Sequence, residues 1–255
     1  MYSGFNVDIN QLDIPKRYLS LGREQYEANQ DLVRKRISSF IRADGKIDAG
    51  YLQEEWFPTV GADVFMSHSH NDLDRVMSFA GWLQEQGIAC FVDSCVWGNA
   101  AKLLLEIDKT YCWQPDRGVY DYSLRNFSTS HVHMLLSVAL TKLIDKCECL
   151  FFLNTPNSIT SKDVVSETAS PWLYHELSMT SLVRQKKWSD YRRNKLEKGF
   201  SVNEGLQMSF PVNLKELTVL GASDIVAWEK MIGVEAYPLD ALYRHVNKRT
   251  KPRIL

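Results

Sequence analysis

The stretch ADVFMSHSHNDLDRVMSFAGWLQEQGIACFVD, residues 62–93, carries the reading of the fold. It opens with a short apolar run, ADVFMS (62–67), bounded by Gly61 and polar residues, the pattern of a strand buried on both faces of a parallel sheet. Leu73, Val76, Ala80 and Leu83 then recur at the spacing of one helix face, and Gly87 is placed to close that helix. IACFV (88–92) reads as a second buried strand. Two such strands joined by a helix make a βαβ unit, and a βαβ unit implies a parallel sheet.

The same alternation extends in both directions. Residues 131–146 carry Val132, Leu135, Leu136, Ala139, Leu140, Leu143 and Ile144 in a helical stripe, and CLFFL (149–153) follows as a third buried strand, ended by Asn154-Thr155-Pro156-Asn157. Downstream, Ser170 to Val183 reads as a helix and LQMSFPV (206–212) as a strand. Ser223 to Met231, capped by Ser223, and Leu239 to Val246 read as further helices. Upstream, residues 16–41 read as a helix with Val33, Ile37, Phe40 and Ile41 on one face. A turn at Ala43-Asp44-Gly45 and a short helix from Tyr51 to Trp56, ending at Pro58, complete that end. The expectation is an α/β fold with a doubly wound, mostly parallel sheet and flanking helices over residues 59–255, preceded by a helical extension over 1–58. Ligands of such sheets sit outside the carboxyl ends of the strands. Residues just after Met66, Val92 and Leu153 are therefore the first candidates for chemistry.

The 255 residues are 45% hydrophobic and 24% charged, the balance of a soluble globular chain. Thirty Lys and Arg against 31 Asp and Glu give a formal charge of −1, so no overall field draws the chain to nucleic acid or an anionic membrane. The basic run RQKKWSDYRRNKLEK (184–198) reads as a solvated helix face. No stretch approaches the roughly 18 apolar residues of a membrane span, and the opening residues lack the pattern of a secretion signal. Five cysteines, with no C-x-x-C pair, fit a reducing compartment, and a cytoplasmic location is expected.

Two short stretches offer chemistry. MSHSHND (66–72) places His68, His70 and Asp72 on a loop after a strand, a shape that can bind zinc, with His131 and His133 as imaginable further ligands. The same residues admit a plainer reading, in which Ser69 or Asn71 caps the next helix. They also admit a nucleotide site, in which Ser67, His68 and Asn71 bond ribose or phosphate at a helix N-terminus. In SPWLYHELS (170–178), Ser170 is a good N-cap and Pro171 a good first helical residue, which fixes the helix start. Trp172 and Glu176 then project from one face, one turn apart. By spacing alone they form a surface glutamate shielded by a tryptophan.

Taken in order, ADVFMSHSHND, GIACFVD, CECLFFLN and SPWLYHEL resemble the Toll/interleukin-1 receptor (TIR) domain family over roughly residues 60–183, and more loosely to 255. The first strand of that family ends in Phe-x-Ser, here Phe65-Met66-Ser67. Its second strand ends in an acidic residue entering a loop, here Asp93. Its catalytic helix carries Ser-x-Trp-Cys-x-x-Glu-Leu, here Ser170, Trp172, Glu176 and Leu177, with Leu173 in place of the cysteine. Residues 109–130 exceed what the family usually places between the second and third strands.

The resemblance implies a flavodoxin-like winding and an activity. Many TIR domains, among them those of bacterial antiphage (Thoeris-type) systems, cleave the nicotinamide–ribose bond of NAD, with the glutamate of that helix as the catalytic residue. Cleavage builds oxocarbenium-like charge on the ribose, which a carboxylate stabilises. Glu176 is then the catalytic carboxylate and Trp172 shapes or dries its pocket. Ser67, His68 and Asn71 contact ribose or phosphate, and the loop 93–99, with Asp93 and Trp97, closes over the site or meets a second subunit. Tyr111, Trp113, Tyr120 and Tyr122 form a lid that selects the acceptor, whether water, the substrate's own adenine or another small molecule. NAD is substrate here, with no cofactor or metal required. Self-association through TIR surfaces and an effector that senses the product are the implied partners. A non-catalytic TIR scaffold and a metal-dependent hydrolase built on His68, His70 and Asp72 are the alternatives.

Overall fold

The computed structural model describes residues 1–30, 37–41, 43, 47–57, 61–158, 160–162, 165–168, 171–183, 187, 210–211, 214 and 217–250. The chain begins with a strand, β1 (Ser3–Val7), followed by α1 (Arg17–Gln30), a 3-10 turn at Ile37–Phe40 and α2 (Ala49–Trp56). The βαβ unit follows as β2 (Val64–Ser67), α3 (Leu73–Glu85) and β3 (Cys90–Val92), then α4 (Ser94–Ile107). A π-turn at Asp108–Cys112 leads into a hairpin of β4 (Trp113–Gln114) and β5 (Val119–Tyr120), the long α5 (Tyr122–Lys146) and β6 (Cys149–Leu153). Then come β7 (Thr160–Lys162), β8 (Val165–Thr168), α6 (Pro171–Leu182), β9 (Phe210–Pro211), β10 (Thr218–Leu220), α7 (Ala222–Glu229) and α8 (Pro238–Thr250).

The main sheet has five parallel strands in the order β10-β1-β6-β2-β3, so the doubly wound α/β architecture forms as expected. Its strands are too short to pack by themselves; they hold because β2, β3 and β6 are buried along their whole lengths. On one face Phe5 and Phe151 meet edge to face, Phe79 of α3 and Trp228 of α7 pack on Phe151, and Tyr243 of α8 stacks on Phe5. α2, α4, α5 and α6 pack together as a second set. α3 ends as its sequence requires, at Gly87, whose φ of 78° is the left-handed conformation glycine adopts without strain.

Several expectations are corrected. The first 58 residues are not a helical extension: β1 lies inside the sheet, paired with β6 from Ser3↔Cys149 to Val7↔Leu153 and with β10 on its other side. Its sequence, SGFNV, lacks an apolar run: Gly4 faces the end of the Leu217 side chain, while Phe5 and Val7 supply the buried surface. The expected helix over 16–41 ends as α1 at Gln30; Val33, Asp44 and Gly45 lie outside the described residues. The loop expected at 93–99 is the start of α4, because Asp93 accepts a hydrogen bond from the Ser94 amide and the helix formers AAKLLLEI follow. Residues 109–130 form the π-turn, the β4–β5 hairpin and the first turns of α5, which begins nine residues before the expected start.

Phe210 and Pro211 of the expected 206–212 strand pair with β8 in a separate antiparallel sheet of β7, β8 and β9. Residues 206–209 and 212 lie outside the described residues, as does the basic run 184–198 apart from Lys187. Helix α7 is capped at Gly221, whose amide donates to the Asp224 carboxylate, rather than by Ser223. Among the described residues no helix is long and apolar enough to cross a membrane.

Candidate functional site

Parallel strands of unequal length leave their carboxyl ends open to the elements that follow. Ser67 is the last residue of β2 and Asp93 the first after β3, so the βαβ unit sets both at one edge of the sheet. α6 reaches the same edge from the far side, held against α5 by His175, whose Nε2 lies 3.2 Å from the Ser137 carbonyl and 3.3 Å from Thr141 Oγ1. Leu173 and Leu177 go into the core, and Glu176 turns inward between them.

There the Ser67 hydroxyl donates to Glu176 Oε2 at 2.7 Å, across 109 residues of sequence. Glu176 has 0% exposure. Its other oxygen, Oε1, meets no donor among the described residues. Asp93 lies beside it and offers only acceptors while ionised. Burial pushes the Glu176 carboxyl well above the usual carboxylate range, and the Asp93 charge pushes it further, while the Ser67 hydroxyl pulls the other way. Both effects favour the neutral acid over the anion at this position.

Asp93 has its own partner. Its Oδ1 pairs with His68 Nδ1, its Oδ2 accepts the His68 amide at 3.2 Å, and both side chains are buried. His68 Nε2 is buried without a partner among the described residues. Ser67, Glu176, Asp93 and His68 thus form one buried polar cluster.

Four of the residues singled out in the sequence, Ser67, His68, Asp93 and Glu176, are therefore brought together. Asn71 is exposed on the 3-10 turn His70–Asp72 that precedes α3. Trp97 lies in the first turns of α4, not on a loop, and its side chain is outside the described residues. Trp172 packs edge-on to His133 of α5, with ring centroids 5.4 Å apart. Of the aromatic residues expected as a lid, Trp113 and Tyr120 meet edge to face across the hairpin, and Tyr111 and Tyr122 are exposed.

The H-x-H-x-D loop does not assemble as a metal centre. His68 is engaged by Asp93, His70 is exposed, and Asp72 accepts hydrogen bonds from Thr155 Oγ1 at 2.5 Å and Asn157 Nδ2 at 2.8 Å. Among the described residues no group of three or more His, Cys, Asp or Glu side chains could hold an ion. Residue-by-residue reading missed the clasp of Asp72, Thr155 and Asn157. It ties the loop after β2 to the loop after β6, and its one signal was the run of turn-forming polar residues at 154–157.

The chain matches no protein-family model, no curated protein and no solved structure.

Proposed function

We propose that this protein is a TIR-like enzyme that cleaves the nicotinamide–ribose bond of NAD, releasing nicotinamide and an ADP-ribose-derived product, with Glu176 as the catalytic carboxylate. The observation that carries the reading is the bond from Ser67 to a fully buried Glu176 at the carboxyl edge of the sheet, beside the Asp93–His68 pair. A structural glutamate gains nothing from burial beside a second carboxylate, whereas perturbed titration of this kind is common where a group must act.

The substrate's nicotinamide ring carries positive charge, which passes to the ribose as the bond breaks and nicotinamide leaves neutral. A cation entering the pocket favours loss of the Glu176 proton, so binding itself converts the resting acid into the carboxylate that stabilises the transition state. Ser67 keeps the carboxylate oriented, and its O–H remains a donor to the ionised form. Asp93, paired with His68, adds negative field without a second free charge. With Glu176 sealed, the cluster must open for NAD to enter. The acceptor of the ADP-ribosyl group is water, the adenine of the same molecule or a third species, and a separate effector would read the product.

The test is mass spectrometry of the products formed from NAD by wild type, Glu176→Gln and Glu176→Ala. Turnover by wild type that falls at least a hundredfold in both variants is expected. Turnover retained in Glu176→Gln overturns the assignment. Complete burial of Glu176 also favours a second reading, a scaffold with a structural polar core. An inert wild type, stabilised neither by NAD nor by nicotinamide in thermal melts, selects it.

A further inference from the structure

Helix α5 has two apolar faces. Val132, Leu136, Ala139, Leu140 and Leu143 are buried against the sheet and its helices. On the opposite side Leu124 is 48% exposed, Phe127 66%, Met134 65% and Val138 41%, with His131 exposed between them. The positions 124, 127, 131, 134 and 138 alternate in steps of three and four, the seam of a helix that packs lengthwise against another helix. From Asn126 to Thr141 there is no Asp, Glu, Lys or Arg, although much of this stretch faces outward. A solvated helix face ordinarily carries such charges.

We propose that this face docks a second copy of the same chain, α5 against α5, antiparallel about a twofold axis near His131. The axis sets Leu124 against Val138 and Phe127 against Met134, so the strip is complementary to itself, as a twofold contact requires. The helix dipoles agree with the antiparallel choice: an antiparallel pair opposes them, whereas a parallel pair sets like ends together. The charges at the ends are mixed, Asp121 with Arg125 at the start of α5 and Lys142, Asp145 and Lys146 near its end. The four apolar side chains, with the exposed Ser123, Ser130 and His131 between them, present at most roughly 600 Å² per copy, so two copies can bury up to about 1,200 Å², the lower end of stable interfaces. The segment 184–198 carries seven basic residues and does not suit an uncharged seam. The inference stands apart from NAD cleavage, because its readout is mass.

Light scattering on the full chain, after size-exclusion chromatography, should give twice the 29.4 kDa chain mass. Phe127→Glu and Met134→Glu, both on exposed positions, should each give the chain mass with unchanged circular dichroism. Under mild oxidation His131→Cys, at the axis, should form an interchain disulfide, and Leu124→Cys, far from its own copy, should not. A monomeric wild type overturns the proposal, whether the seam is then covered by another segment of the chain or by another protein. A dimer that survives both glutamates, or a Leu124→Cys disulfide, overturns it equally.

Discussion

A glutamate in water gives up its proton near pH 4.5, but Glu176 in the folded chain holds its proton to higher pH, because burial and the Asp93 charge both disfavour the anion. Between the ordinary and the raised value the unfolded state has lost a proton that the folded state keeps. This group therefore costs nothing below the ordinary range and lowers stability progressively as pH rises through it. Glu176→Gln keeps an acceptor for Ser67 and removes the charge, so it should be more stable than wild type at pH 8 and little different at pH 4. Urea unfolding at both pH values checks this; equal differences at the two would show that Glu176 titrates normally. At this scale the sequence was informative about membership and silent about geometry. Ser67, His68, Asp93 and Glu176 could each be named, but the 2.7 Å bond from Ser67 to Glu176 joins residues 109 apart, and no spacing rule reaches so far. The partner of Trp172 was out of reach for the same reason: His133, edge-on to its ring, lies on another helix.

Between elements, the closest approach is that of α1 and α3. A Cβ built on Gly22 would lie 1.9 Å from the Met77 carbonyl oxygen, and one on Gly81 would lie 2.1 Å from that of Tyr18. Neither neighbour can swing aside, since both are backbone. Arg23 with Asp74, and Arg17 and Tyr18 with Glu85, mark the edges of the same crossing. Gly81→Ala should cost about 1–3 kcal/mol despite the higher helix propensity of alanine, because the helices must separate. Thermal denaturation measures it, and a stabilised variant would contradict this packing. α3 itself was legible from one end to the other, since apolar period and closing glycine agree. α4 was not: Ser94, Gly98 and Asn99 are turn formers by composition, and the run from Ala100 to Ile107 overrides them. β10 is three residues long, too short for any periodicity to show.

Over the whole molecule the decisive piece is β1, which joins β10 to the β6-β2-β3 half of the sheet. Phe5, 1% exposed, touches Phe151 of the neighbouring strand and Tyr243 of the last helix, so Phe5→Ala should cost about 3–5 kcal/mol, comparable with truncation deep in a core. Equilibrium unfolding in urea measures this, and a loss below about 1 kcal/mol would mean that residues 1–58 are the appendage their helical pattern suggested. The alternation of strand and helix over 62–153 was enough to recover the parallel sheet, while the entry of β1 was hidden because pairing, not its own composition, makes SGFNV a strand. Strand order also sets a timetable. β1 is synthesised before both of its partners, residues 149–153 and 218–220, so it waits unpaired while β2 and β3 can close locally. The nascent chain thus carries an open sheet edge on β2 until β6 arrives, the interval in which misassembly and chaperone capture compete with folding.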